Sequence, residues 1–245
     1  SWFYVGDIRF GILIGVGVLL AVSFNPLTSY FTSLKKPPVQ EIVKATETGT
    51  ATMILSGIVA GYESTVAALV VIVTTFGIAW WLFTASAVAL LSPFVVVGVE
   101  GTIWTLYGIA LIGIGMLSHT GNNVAMDAFG PISDNAAGIG ELSPGDFDEE
   151  SRRTMAELDA VGNTTKAITK GIAIASAVIA AVSLFDAFIF VAILPLGLDH
   201  LFLDDPRVFS GLLLGAALPW LFSAVNIKAV TRAAGEMVKE VRRQF

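Results

Sequence analysis

The stretch "LDAVGNTTKAITKGIAIASAVIAAVSLF", residues 158–185, begins with polar and charged side chains and then becomes almost wholly apolar. On an α-helix, with about 100° between successive residues, Asp159, Asn163, Lys166 and Lys170 lie within about 60° of one another. They form one polar stripe at the start of a helix whose remainder is apolar enough for a membrane. Polar groups gathered in this way at the mouth of a membrane helix predict a binding site there.

The composition describes a membrane protein. Of 245 residues, 55% are hydrophobic and 14% are charged, and the mean hydropathy is +0.78, so there is too little polar surface for a water-soluble globule. The chain has no cysteine and only two histidines, which argues against disulfides and against zinc or haem. The formal charge of −6 argues against nucleic acid as a partner. We therefore expect an all-α, polytopic, multi-pass bundle in the lipid bilayer.

Five membrane spans are predicted from long runs with few charges, because a crossing needs about 20 apolar residues. We treat residues 1–245 as one transmembrane segment with spans near 10–32, 51–83, 103–125, 162–194 and 207–230. The apolar stretch 84–101 is interrupted by Pro93 and Glu100. We predict that it forms a helix extension followed by a short interfacial turn.

The distribution of basic residues predicts the orientation. With five crossings, the loops at 35–50 and 127–157 and the C-terminal tail share one face of the membrane, and the opposite face offers only Arg9 and Arg207. By the positive-inside rule the first face is cytoplasmic. Its basic residues are Lys35, Lys36, Lys44, Arg152, Arg153, Lys228, Arg232, Lys239, Arg242 and Arg243.

A second acidic segment, "MDAFGPISDNAAGIGE" at residues 126–141, precedes the polar stripe. It supplies Asp127, Asp134 and Glu141, and its Gly-Pro pair is expected to bend the chain between the two aspartates. Carboxylate and amide oxygens facing ammonium groups suit a ligand that brings both a hard cation and anionic oxygens. The pattern favours a magnesium phosphate.

Other interpretations stay open at this point. Asp134 and Asp159 could cap helices, and Lys166 and Lys170 could snorkel or pair with Asp159 and Glu141 as ordinary interfacial charges. A secondary transporter would place its polar groups near the bilayer midplane and often show an internal repeat, which is not found here. A non-catalytic membrane scaffold or remnant would need no phosphate-binding stripe.

Four stretches carry a closer resemblance to the membrane-integral, ion-translocating inorganic pyrophosphatases, and the likeness covers most of residues 25–245 in consistent order. They are "DAFGPISDNAAGIGE", "LDAVGNTTKAITKG", "LLLGAALPWLFSAVNIKAV…EMVKEVRRQF" and "PVQEIVKATETGTATMILSGIVAGYEST". The likeness implies homodimers with about sixteen transmembrane helices per subunit. It also implies hydrolysis of pyrophosphate with Mg²⁺ on the cytoplasmic side, coupled to pumping of H⁺ or Na⁺.

The resemblance also implies residue roles. Asp134 matches a metal-binding aspartate, Asn163 matches an asparagine that binds metal and substrate, and Lys170 matches a substrate-binding lysine. Asp127 and Asp159 occupy acidic positions of the same motifs and are possible site residues.

Lys166 and Thr169 match the determinants of the K⁺-independent type of this family. A tethered ammonium group can replace a bound monovalent cation beside a phosphate, which agrees with that assignment. Because K⁺-independent members are proton pumps, the resemblance implies H⁺ as the transported ion.

Two departures limit the resemblance. Ser29 stands in "TSYFT" where the family usually has a glutamate. The family's other catalytic motifs are not found in these 245 residues, so we assign no catalytic residue. We expect this chain to be inactive alone and to act with the missing helices of the same enzyme.

Overall fold

The computed structural model describes residues 6–84, 99–143, 145–197 and 201–244, and the regular elements within them are all helical. The long helix α6 continues into a π-turn and a 3₁₀ turn, and a further 3₁₀ turn joins α2 to α3. The predicted all-α class is confirmed. The helices are α1 (Ile8–Thr32), α2 (Pro37–Ala45), α3 (Thr50–Thr84), α4 (Val99–Leu117), α5 (Thr120–Leu142), α6 (Glu149–Phe188) and α7 (Pro206–Gln244).

In the described part of the chain, four helical segments are long and apolar enough to cross a membrane. They are the segments of α1, α3, α6 and α7. A fifth candidate is the pair α4 and α5, which meet at an angle of 50°. The predicted span 103–125 crosses this break, because α4 ends at Leu117 and α5 begins at Thr120. Most of the stretch 84–101 lies outside the described residues. The prediction of a polytopic helical membrane bundle is confirmed.

The chain divides into two compact units, the first ending at Asp186. The second unit contains α7, whose side chains are largely exposed. At the start of α7, the carboxylate of Asp205 accepts a hydrogen bond from the backbone N–H of Arg207 at 2.8 Å. The Arg207 guanidinium donates to the same carboxylate and lowers the pKa of Asp205 to about 2. A charged cap that stays ionised stabilises the first turn of this helix.

In the first unit, contacts at both ends fix the helix directions. The ring of Phe10, at the start of α1, lies 6.0 Å from that of Phe83 at the end of α3 and 5.7 Å from that of Trp104 near the start of α4. Toward the end of α1, Thr28 lies beside Gly171 of α6, while Gly113 of α4 lies beside Ile179. Helices α1 and α4 are therefore parallel, and α3 and α6 run antiparallel to them.

The core of this bundle is closely packed and apolar. Side chains from α1, α3, α4 and α6 fill it, and the largest are almost fully buried. Burial on this scale fixes the depth of each helix in the bundle, because a shift by one residue would move every core side chain. The largest buried apolar side chains are Leu13, Phe24, Ile112, Met116 and Ile179.

Two glycines let α1 and α4 approach backbone to backbone. A Cβ atom placed on Gly17 would collide with the carbonyl oxygen of Ile112, and one on Gly115 would collide with the carbonyl oxygen of Ile14. Small residues at helix crossings are typical of membrane bundles, where close van der Waals contact drives association. The α1–α4 crossing therefore has no room for a larger side chain at either glycine.

A buried ion pair lies at the end of the bundle where α1 begins. Asp7 and Arg9 are 1% and 5% exposed, and Nη2 of Arg9 lies 2.7 Å from Oδ2 of Asp7. The Arg9 guanidinium also lies 4.8 Å from the centre of the Phe83 ring. Aromatic side chains gathered with charged groups are typical of the level at which a membrane helix meets the headgroups.

We predict that Gly17→Ala destabilises the chain by about 1–3 kcal/mol, because the new methyl group overpacks a backbone contact. The matched control is Gly15→Ala on the same helix, where an added Cβ meets nothing within 4 Å. The control should be neutral or stabilising by up to about 1 kcal/mol, since alanine favours helix. Thermal unfolding in detergent micelles measures both, and equal melting temperatures would contradict the α1–α4 crossing.

Candidate functional site

Helices α5 and α6 pack as an antiparallel pair. Gly130 of α5 lies against Gly162 of α6, and a Cβ on Gly162 would lie 3.2 Å from Cα of Gly130 and collide with Oγ of Ser133. Nearer the loop that joins the two helices, a Cβ on Gly140 would lie 2.5 Å from Cε of Met155. These small residues bring two polar helices close enough for their side chains to meet.

The acidic segment is helical throughout, so the bend expected at Gly130-Pro131 does not interrupt the helix. Helix α5 runs from Thr120 to Leu142 with Pro131 inside it. Pro131 lacks a backbone N–H and so removes one hydrogen-bond donor from the helix. Packing of the buried Gly130 on α6 outweighs this local loss. Since Asp127 and Asp134 are seven residues apart, they lie on the same face of α5.

The capping interpretation is also wrong. Asp134 lies in the interior of α5, and Asp159 lies in the interior of α6. The cap of α6 is Asp148, whose carboxylate accepts from the backbone N–H of Ser151 at 2.8 Å. Hydrogen bonds from Ser151 lower the pKa of Asp148. The two aspartates inside the helices are therefore available for other contacts.

One ion pair joins the two predicted motifs. Nζ of Lys166 on α6 lies 3.2 Å from Oδ2 of Asp134 on α5. The Lys166 side chain is 20% exposed because its methylene stem packs on Gly130, whereas the Asp134 side chain is 60% exposed. The pairing of Lys166 with Asp159 or Glu141, left open by the sequence, is not the one in this structure. Asp134 keeps an accessible carboxylate beside a fixed ammonium group.

A second contact crosses the same pair of helices about one turn away. Oγ1 of Thr169 donates a hydrogen bond to Oδ1 of Asp127 at 2.5 Å. The threonine is 2% exposed, and its hydroxyl also lies 3.0 Å from the carbonyl oxygen of Lys166. The structure therefore brings together four of the sequence-predicted residues, Asp127, Asp134, Lys166 and Thr169.

The other predicted residues lie on α6 in different surroundings. Nδ2 of Asn163, which is exposed, donates to Oδ1 of Asp159 at 3.1 Å, one turn back on the same helix. Lys170 is exposed and lines a groove shared with α1 and α3. The stripe that the sequence predicts as one surface is thus divided between the α5 side and the α1–α3 side of α6.

The oxygen donors suit a hard cation whose coordination shell is completed by a bound ligand. Within the described ranges no three acidic or histidine side chains converge as a ready metal cage. Mg²⁺ often takes only one or two carboxylates and completes its shell with water and substrate phosphate. Among the predicted metal ligands, Asp134 has an accessible carboxylate, whereas the amide of Asn163 donates to Asp159.

Sequence reasoning missed the residues that make the helix pair possible. Gly130, Ser133 and Gly162 lie where the two helices touch. A Cβ atom on either glycine would collide with the facing helix. The available signal was the G-x-x-S spacing in α5, since small residues one turn apart mark close helix contacts. On the sequence alone it indicates only the place of a bend.

Comparisons with known proteins identify the family of this chain. The family model described as "Inorganic H+ pyrophosphatase" matches residues 2–245, nearly the whole chain. The chain belongs to the inorganic H⁺ pyrophosphatase family. Together with its long apolar helices, membership of this family makes it an integral membrane protein.

Three relatives illustrate the range of the family. A "K(+)-insensitive pyrophosphate-energized proton pump" from Chloroflexus aurantiacus is 48% identical over 94% of this chain, and one of the same name from Methanosarcina mazei is 44% identical over 99%. A "Putative K(+)-stimulated pyrophosphate-energized sodium pump" from Clostridium tetani is 39% identical over 98%. The chain spans 30%, 34% and 33% of these relatives, respectively.

We predict that Thr169→Val and Asp127→Ala are coupled by about 1 kcal/mol, because each removes the same interhelical hydrogen bond. Thr169→Ser keeps the hydroxyl and serves as the matched control. Unfolding in mixed detergent gives the stability of the single and double variants. Strictly additive losses would mean that the Thr169–Asp127 contact does not stabilise the helix pair.

Proposed function

We propose that this chain forms part of a membrane pyrophosphatase that hydrolyses magnesium pyrophosphate and pumps protons without requiring K⁺. The observation that carries the proposal is the Lys166–Asp134 pair, which joins the two motifs most specific to the family at one point between α5 and α6. The names of the relatives from C. aurantiacus and M. mazei support the substrate, the ion and the lack of a K⁺ requirement.

In this proposal Asp134 holds Mg²⁺. Its ion pair with Lys166 engages Oδ2, while more than half of the side chain is exposed. When bound, Mg²⁺ would neutralise charge on the phosphate oxygens. Asn163 supplies an amide beside the metal and substrate. Asp127, oriented by Thr169, and Asp159, joined to Asn163, are the further acidic groups of the site.

Lys166 supplies the fixed positive charge. Its stem is held on Gly130 and its ammonium group is already paired with the carboxylate of Asp134, so it needs little ordering when an anionic ligand arrives. Lysine interacts with phosphate as a point charge, which is what a bound K⁺ ion would otherwise supply. Thr169 lies one turn on and fixes the neighbouring Asp127.

The role of Lys170 in substrate binding is a separate prediction. The motif implies that it binds pyrophosphate, whereas its groove lies on the α1–α3 side of α6. The orientation with the α5–α6 pair on the cytoplasmic side, the homodimer and the participation of further helices of the same enzyme also belong to this proposal. They depend on the basic-residue count and the family resemblance.

The K⁺ prediction is tested in a full-length pump. Residues 1–245 replace the corresponding segment of the C. aurantiacus relative, and Lys166→Ala is compared with the unmodified chimera. Without the tethered ammonium, pyrophosphate hydrolysis should fall at least tenfold in K⁺-free buffer and recover when K⁺ is added. The control is Lys36→Ala, an exposed lysine before α2. Full K⁺-free activity of Lys166→Ala would refute the proposed role.

The metal prediction uses the same chimera. Asp134→Asn removes one negative charge from the proposed metal site and should raise the Mg²⁺ concentration for half-maximal hydrolysis severalfold. The control is Asp146→Asn in the loop before α6, which should leave the titration unchanged. An Mg²⁺ titration of Asp134→Asn that superimposes on that of the control would remove Asp134 from the metal site.

A further inference from the structure

The contact between Lys166 and Asp134 joins one cation to one anion. Nζ of Lys166 lies 3.2 Å from Oδ2 of Asp134, and in the described part of the chain neither side chain has a second ion pair. The other acids of the candidate site, Asp127 and Asp159, accept hydrogen bonds from neutral side chains. The ammonium group of Lys166 therefore balances the charge of the carboxylate that is proposed to hold Mg²⁺.

The ammonium group is held in this position by its stem. Glycine at position 130 leaves the space in which the stem lies, because a Cβ atom there would collide with Cγ and Cδ of Lys166. The Lys166 side chain is consequently only 20% exposed. With Cγ and Cδ held on α5, only the last bonds of the side chain remain free to turn. The ammonium group can exchange its partner, but it stays beside Asp134.

The ion pair does not depend on what covers α5 and α6 from outside. Its two residues belong to helices that touch at Gly130 and Gly162, and at 3.2 Å the charged groups are in direct contact, with no room for a third group between them. A further helix of the enzyme could cover the pair but could separate it only by breaking it. Asp134 therefore has to give up part of this contact whenever it binds another cation.

The carboxylate of Asp134 has a single negative charge to share. When it is paired with an ammonium group it attracts a second cation less, because the two cations repel each other and compete for the same oxygens. Pyrophosphate changes this balance, since its anionic oxygens can accept the ammonium group and coordinate Mg²⁺ at the same time. Lys166 can then turn to the phosphate on its fixed stem, which leaves both oxygens of Asp134 available to the metal.

We propose that Lys166 makes this site selective for magnesium pyrophosphate over free Mg²⁺. In the ligand-free chain its ammonium group occupies Asp134, and the diphosphate anion offers it another partner. This role rests on the metal-binding function proposed for Asp134 and deepens it. Asp134 holds the metal well when the diphosphate is present and poorly when it is absent.

Metal binding in the absence of pyrophosphate tests this in the chimera described above, in K⁺-free buffer. A ligand of the folded protein raises its melting temperature, so the Mg²⁺ concentration at which the rise begins reports the affinity. Lys166→Met keeps an unbranched stem and removes the charge, and it should lower that concentration about fivefold. Equal concentrations for the unmodified chimera and Lys166→Met would overturn the proposal.

Three further variants separate charge from packing. Lys166→Arg keeps the positive charge and should bind Mg²⁺ like the unmodified chimera. Lys36→Met removes an exposed lysine before α2 and should also leave the Mg²⁺ concentration unchanged. Lys166→Gln is a second uncharged variant, and the melting transition without Mg²⁺ shows that each variant is folded. If Lys166→Arg bound Mg²⁺ as tightly as Lys166→Met, packing and not charge would control the site, and the proposal would fail.

A double variant assigns the effect to Asp134. In an Asp134→Asn background the site has lost the carboxylate for which the two cations compete. Adding Lys166→Met should then change the Mg²⁺ concentration by less than about twofold. A full fivefold effect in that background would mean that Lys166 acts on a different metal site, and that result would refute competition at Asp134.

The selectivity itself is measured with methylenediphosphonate, a diphosphate analogue whose carbon bridge is not hydrolysed. At saturating analogue, the unmodified chimera and Lys166→Met should begin to bind Mg²⁺ at similar concentrations, because the anion has become the partner of the ammonium group. The difference of about fivefold should be confined to the analogue-free protein. An equal difference with and without the analogue would indicate plain repulsion without selectivity, and it would overturn the proposal.

The outcomes separate this selectivity from the proposed function. If Lys166→Ala requires K⁺ for hydrolysis while both uncharged variants bind free Mg²⁺ like the unmodified chimera, the K⁺ role stands and the selectivity is refuted. If Asp134→Asn by itself leaves Mg²⁺ binding unchanged, the metal role of Asp134 fails, and the selectivity fails with it.

Discussion

Helix α6 is held by two different kinds of contact along its length, and the rest of the first unit depends on both. Its 40 residues extend about 60 Å, twice the thickness of a bilayer core. The later part buries Ile172, Ala175 and Ile179 in the apolar bundle, while the earlier part meets α5 through glycines, Lys166 and Thr169. A single continuous helix therefore fixes the site relative to the membrane-spanning core.

The geometry of the candidate site depends on the close approach of the backbones of α5 and α6. With glycine at 130 and 162, the stem of Lys166 lies on the surface of α5 and its charge reaches Asp134 directly. The pair is partly exposed, so its contribution to stability is small, and its main effect is to hold two opposite charges in position.

The fold class, the helical character of the segment and the site motifs could be predicted from the sequence because each depends on local composition and spacing. The division of the polar stripe could not. Lys166 and Lys170 differ by about 40° around α6, and which neighbour each one meets is decided by the placement of α5 and α1. The Gly-Pro pair could not be interpreted correctly for a similar reason. Its local preference is to interrupt a helix, whereas packing against α6 keeps the helix continuous.

The two sides of α6 show how one motif can hold two kinds of charged group. On the α5 side, Lys166 has a carboxylate partner and a buried stem, which suits a charge that must stay fixed whether or not a ligand is present. On the α1–α3 side, Lys170 is exposed and lines a groove whose other lining residues are apolar or carry hydroxyls. The different neighbours on the two sides of α6 therefore leave one lysine of the motif in an ion pair and the other at the edge of a groove.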